Sequence, residues 1–158
     1  MRAADPFIRT LQGRGWKFTA SRPDEAWQTP ARYPVPPDDL LEFIQSFALL
    51  CNDQETAWFI SARDYNVSGV DGFAWNEFEQ LSLAAAEGDA AWISRITEFW
   101  SAHLPILMVV DGHYSYAAYC FAGSNAGRYV VGSEPEFEDA TVVGSTLEEL
   151  QSWALSTT

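Results

Sequence analysis

Ile106-Leu107-Met108-Val109-Val110-Asp111-Gly112-His113-Tyr114-Ser115-Tyr116-Ala117-Ala118-Tyr119-Cys120-Phe121 is the stretch that decides the fold. Two runs rich in β-formers flank an Asp-Gly pair, which supplies the positive φ values of a two-residue hairpin turn. The reading is strand, tight turn, strand, with Tyr114 and Tyr116 on one face and Ser115, Ala117 and Tyr119 on the other. Toward the C-terminus, Gly123 to Gly127 makes the next bend, Tyr129-Val130-Val131 a third strand and Ala140 to Val143 a fourth. Ser145-Thr146-Leu147-Glu148 then predicts a helix start, with the Ser145 hydroxyl accepting from the Glu148 N–H and the Glu148 carboxylate from the Ser145 N–H. Leu147, Leu150 and Ala154, flanked by Trp153, would dock that helix on the sheet.

Working back toward the N-terminus, Asp89 can cap a helix whose apolar face is Trp92, Ile93, Ile96, Phe99 and Trp100, running to about His103 and closed by Pro105. Before it, Trp75, Phe78, Leu81 and Ala85 keep helical spacing up to Gly88, and Asn66 to Gly72 reads as a loop. Thr56 to Ile60 reads as a strand. Pro36-Pro37-Asp38-Asp39 opens a helix expected to reach about Cys51, because Leu40, Phe43, Ile44, Phe47, Leu50 and Cys51 recur on one stripe. Residues 1–32 read as an irregular, basic lead-in lying over the domain, with a short strand at Trp16-Lys17-Phe18-Thr19; the domain itself spans 33–158. The expected class is α+β, a single domain with a mixed, mostly antiparallel sheet flanked by helices.

The chain has 158 residues, 47% of them hydrophobic, enough for one core without staples. Its 9 Lys and Arg against 22 Asp and Glu give a net charge of −13, a field that repels nucleic-acid phosphates and anionic lipid and attracts basic surfaces, or simply keeps the chain soluble. Beyond residue 32 only Arg63, Arg95 and Arg128 face nineteen acids. Cys51 and Cys120 sit in apolar settings, no CxxC occurs, and no eighteen apolar residues run together, which together predict a cytoplasmic protein without membrane contact. His103 and His113 have no Cys or His at ligand spacing, so no metal and no cofactor are expected.

Asp111-Gly112-His113-Tyr114 places an acid beside a base, but a hairpin turn explains it and no nucleophile accompanies the pair, so catalysis is not expected. Glu134, Glu136, Glu138 and Asp139, around Pro135, form the strongest acidic cluster. Such a loop is either a solvated connection or a contact for a basic partner. Asp38, Asp39 and Glu42 read instead as helix N-terminal charge. Most tryptophans fall on apolar faces, while Trp16, Trp27 and Tyr33, in the lead-in, either cover the sheet or grip a partner.

Val35-Pro36-Pro37-Asp38-Asp39-Leu40-Leu41-Glu42-Phe43-Ile44, Trp75-Asn76-Glu77-Phe78, Leu104-Pro105-Ile106, Tyr114 to Phe121, Ser133 to Glu138 and Val143 to Leu150 resemble the SUKH superfamily, whose eukaryotic namesakes are the Smi and Knr cell-wall-assembly regulators. The likeness covers residues 33 to 155 and leaves the lead-in outside. It implies a mixed sheet flanked by helices and no enzymatic activity. In bacterial members it also implies an immunity protein that neutralises a cognate toxin, many such toxins being nucleases or deaminases. On that reading Asp111, Glu134, Glu136, Glu138 and Asp139 are the charged contacts, with Tyr114 and Tyr116 as aromatic anchors if the sheet face is open there. The alternative is a regulatory adaptor binding an endogenous protein.

Overall fold

The structure, a computed structural model, describes residues 5–22, 28, 30–66 and 74–157. In chain order its elements are α1 (Pro6–Gly13), β1 (Lys17–Ala20), α2 (Asp38–Ile44), β2 (Phe47–Cys51), β3 (Ala57–Phe59), α3 (Glu77–Ala85), α4 (Ala90–Ala102), β4 (His103–Val110), β5 (Tyr114–Cys120), β6 (Tyr129–Ser133), β7 (Thr141–Gly144) and α5 (Leu147–Thr157). The strands form one sheet in the order of the sequence, β1 through β7, and each ladder is antiparallel. The class is α+β in a single domain, as expected, and the sheet is antiparallel throughout rather than mixed.

Cross-strand register sorts the core into two faces. Trp58, Met108 and Tyr116 are partners and share one face, while Phe59, Leu107, Ala117 and Val131 share the other. Helices α3 and α4 cover the first: the Tyr116 ring lies 4.9 Å from Trp100 and 6.4 Å from Phe78. Helices α1 and α2 cover the second, where Phe7 and Phe43 each meet Phe59 edge-on at 5.5 Å. With both faces covered, β4 is buried from His103 to Met108 and shows no polar alternation.

Several boundaries differ from the sequence expectation, each for a local reason. Helix α2 stops at Ile44: the Ser46 hydroxyl and backbone N–H both turn back to the Phe43 carbonyl, and residues 47–51 become β2, paired with β1. The lead-in is regular over α1 and β1, and without helix or strand in the rest of its described residues. Pro6 opens α1, the Asp5 side chain accepts from the Phe7 N–H at 2.8 Å, and Phe7, Ile8 and Leu11 are buried. Strand β1 forms where a short strand was expected, with Trp16 buried just ahead of it. Pro105 does not close α4. The helix passes straight into β4 at His103, and Pro105 sits inside the strand beside the bulged Ile106, where the missing N–H is tolerated.

The β4–β5 connection has three residues, Asp111 to His113, with Val110 opposite Tyr114 and Gly112 at φ +68°. The helix start at α5 is displaced by one residue from the expected pair. Thr146 Oγ1 accepts from the Glu149 N–H at 3.1 Å, and the Glu149 carboxylate accepts from the Ser145 N–H at 2.7 Å. In α3 the buried positions are Phe78, Glu79 and Ser82, while Leu81 faces out. Glu79 draws the helix round because Arg32 holds it by two bonds, of 2.6 and 2.9 Å, and reaches Ser101 of α4 at 2.9 Å. Most of the loop expected after Asn66, and Trp27, lie outside the described residues.

Candidate functional site

The acidic loop between β6 and β7 is held in place by a chain of contacts that starts at a glycine. Gly132 stands opposite Tyr116, and a Cβ there would meet the tyrosine ring and hydroxyl at 2.5 to 2.8 Å. The absent side chain lets the Tyr116 ring lie over β6, so that its buried hydroxyl donates to the carbonyl of Phe137. Burial, with Glu138 and Asp139 nearby, pushes the Tyr116 hydroxyl far above the ordinary tyrosine range, so it stays protonated and remains a donor. Phe137 in turn stacks on Phe78 of α3, with 4.7 Å between centroids and 6° between planes.

A second anchor lies at the start of the loop. The Glu134 carboxylate accepts from the Tyr114 N–H at 2.9 Å and faces His113 Nδ1 at 3.5 Å, while the Glu134 N–H donates to the Tyr114 carbonyl at 2.9 Å. The Asp139 N–H donates to the Glu136 carbonyl at 3.0 Å and closes the turn. Held at Glu134 and Phe137, the loop presents Pro135, Glu136 and Asp139 to solvent. Glu138 is half-buried, and its Oε1 is buried with no hydrogen-bond partner among the described residues.

Facing the loop is one border of α4. Asp89 caps the helix by accepting from the Trp92 N–H at 3.1 Å, which fixes the first turn. Trp92, 37% exposed, and Arg95 form one wall of a groove of about 460 Å³, and Pro135, Glu136, Glu138 and Asp139 form the other. Among the described residues no ion pair within 4.0 Å joins Arg95 to these acids. The groove therefore carries three acidic side chains, one arginine and an exposed indole.

The expected contact residues thus divide. Glu136, Glu138 and Asp139 come together in the groove. Glu134 is not part of the groove lining; its carboxylate is engaged by the Tyr114 N–H of β5. Tyr116 is 1% exposed, so the sheet face is closed there and it cannot anchor a partner; it positions the loop instead. Tyr114 is half-buried and stacked on Phe78 at 5.6 Å. Asp111 is exposed at the β4–β5 tip and lines a different cleft, of about 520 Å³, with Arg14, Trp16 and Asp53; His113 is not part of that lining. Asp38 and Asp39 lie in the first turn of α2, where Asp39 accepts from the Leu40 N–H, consistent with helix-terminal charge. Trp16 and Tyr33 both cover the core, the Tyr33 hydroxyl bonding the Trp100 and His103 carbonyls. Cys51 and Cys120 are buried free thiols.

Trp92 and Arg95 did not stand out in the sequence as site residues. The available signal was the width of the α4 apolar face: Ile96 and Trp100 occupy its buried middle, whereas Trp92, two turns before the half-buried Phe99, is exposed. Among the described residues no group of three or more His, Cys, Asp or Glu is placed to hold a metal ion, and no helix is long and apolar enough to cross a membrane. Comparison with protein-family models, with curated proteins and with solved structures found no match to this chain.

Proposed function

We propose that this chain is a non-enzymatic binding domain that docks its acidic β6–β7 loop on a basic protein partner, in the manner of a SUKH-type immunity protein occluding the active site of a cognate bacterial toxin in the cytoplasm. The observation that carries the reading is a loop fixed at Glu134 and Phe137 that still leaves Glu136 and Asp139 exposed. An inhibitor of a nucleic-acid-processing enzyme has to offer carboxylates where the enzyme's basic groove expects phosphates, and it gains most when they are held in place before binding. The net charge of −13 adds steering that accelerates encounter with a basic surface.

The test is capture of binding proteins from the source cells on immobilised chain, run beside the Glu136→Lys/Asp139→Lys double variant at low and high salt. The expected result is a basic protein that wild type retains at low salt, that salt releases and the variant loses, and whose own activity falls when wild type is added. A partner held equally by both chains would remove this loop as the contact. A partner that is retained but uninhibited would replace immunity with the adaptor role.

A further inference from the structure

Building on that binding role, we infer that an extended segment of the partner adds to the outer edge of β7 and lays one apolar side chain in the groove between β7 and α5. Strand order supplies the first reason. Among the described residues β7 ends the sheet, and no hydrogen bond reaches the backbone of Thr141 to Gly144 from the side away from β6. Such an edge leaves N–H and C=O groups without a partner in the sheet, and an incoming strand pairs with them. The opposite edge, β1, opens with Lys17, held by Glu55 at 3.2 Å, a charge that discourages strand addition. From Ala140 to Gly144 there is neither charge nor proline, and Thr141, Val142 and Val143 are β-branched.

The second reason is the groove beside this edge. Val142 faces Val130 and Gly144 faces Tyr129, so Val143 bulges out of the ladder without a partner on β6. It lines a groove of about 740 Å³ with Thr146 and, from α5, Glu149 and the half-buried Trp153. The bulge confines new pairing to the residues from Ala140 to Val142, and the apolar lining beyond it takes the side chain that follows. Gly144 fixes the spacing of strand and helix. A Cβ there would meet the Glu149 Cβ at 2.4 Å and its carboxylate at 2.5 Å; without one, that carboxylate accepts from the Ser145 N–H at 2.7 Å. The groove is thus shaped before anything enters it.

Charge decides the occupant. Exposed Asp139 precedes β7 and exposed Glu148 follows it. A second copy paired antiparallel along β7 would bring Asp139 of one molecule toward Glu148 of the other, between chains that each carry a net charge of −13. The edge instead suits a partner segment with aliphatic or β-branched residues at its centre and Lys or Arg at both ends.

Titration of isotope-labelled protein with the blocked peptide Lys-Ser-Ile-Thr-Val-Lys, followed by nuclear magnetic resonance, tests this. Saturable shifts should appear at the Ala140 to Val143 amides and the Trp153 indole N–H, and be weaker with Glu at both peptide ends. N-methylation along the peptide edge that meets β7 should weaken binding about two- to tenfold for each hydrogen bond lost, while N-methylation along the other edge should spare it. Equal effects of methylation on the two edges, equal binding of the acidic-ended peptide, or shifts scattered over the surface would overturn the inference. So would concentration-dependent shifts at the same amides without peptide, with a doubled mass in sedimentation, which would give the edge to a second copy. If no peptide binds at β7 while Glu136→Lys/Asp139→Lys still abolishes partner capture, strand addition falls and the binding role of the loop stands. Edge-specific peptide binding at β7 with partner capture indifferent to that double variant would mean the reverse.

Discussion

Tyr116 and Gly132 form a cross-strand pair in which one residue works because the other has no side chain. Gly132→Ala should force the ring off its position and destabilise the fold by about 1–3 kcal/mol, as overpacking does. Tyr116→Phe keeps the ring but leaves the Phe137 carbonyl without its donor, for a loss of about 1–2 kcal/mol in urea unfolding. Because the loop is then released, this variant should also slow association with a partner. Glu136→Lys/Asp139→Lys, by contrast, touches no bond in the fold and should shift stability by no more than about 0.5 kcal/mol. The period-two pattern of β5 correctly put Tyr114 and Tyr116 on a common face. It could not show that α3 and α4 close over that face, because coverage depends on how distant helices pack, and Glu79 and Arg32 turn α3 in a way its apolar spacing does not announce.

Among the elements, α4 and the start of β4 contain a buried histidine with a definite acid response. His103 stacks on Phe99 at 3.9 Å, its Nδ1 lies 2.7 Å from the Phe99 carbonyl, and burial lowers its pKa below the ordinary histidine range. The unfolded chain therefore takes up the proton more readily, so the contribution of neutral His103 is fully present above about pH 6.5 and is lost as pH falls through the lowered folded value. His103→Asn, which keeps a donor near the Phe99 carbonyl, should flatten that limb of a plot of melting temperature against pH. Arg32→Ala strands the buried Glu79 carboxylate and should cost toward the low end of about 3–5 kcal/mol, since Arg32 is itself partly exposed. The strands around the β4–β5 hairpin were legible from their β-formers and turn residues, and the Asp89 cap from its position before an apolar stripe. Residues 47–51 were not, because Phe47, Leu50 and Cys51 continue the helical spacing of α2 by coincidence, and a five-residue apolar run fits either periodicity. Helix α1 escaped notice because glycines and prolines around it suggested a breaker-rich segment, although Asp5-Pro6 is itself a helix start.

For the whole molecule, charge and strand order matter most. A net charge of −13 opposes compaction by self-repulsion, so moderate sodium chloride should raise the melting temperature in calorimetry while slowing capture of a basic partner, opposite responses from one cause. The excess of acid was legible in the sequence, but the groove beside the acidic loop was not, since its two walls, at 92–95 and 135–139, meet only after β4, β5 and β6 have paired. That strands lie in space in the order in which they are synthesised has a bearing on how the chain matures on the ribosome. Each strand after β1 emerges beside a neighbour already made and adds to a single growing edge, although Arg32 and Tyr33 wait for α3 and α4, and Arg14 waits for the Leu155 carbonyl of α5. Nascent chains should therefore acquire protease resistance in steps from the N-terminal side, with the acidic loop competent only after β7 has cleared the exit tunnel.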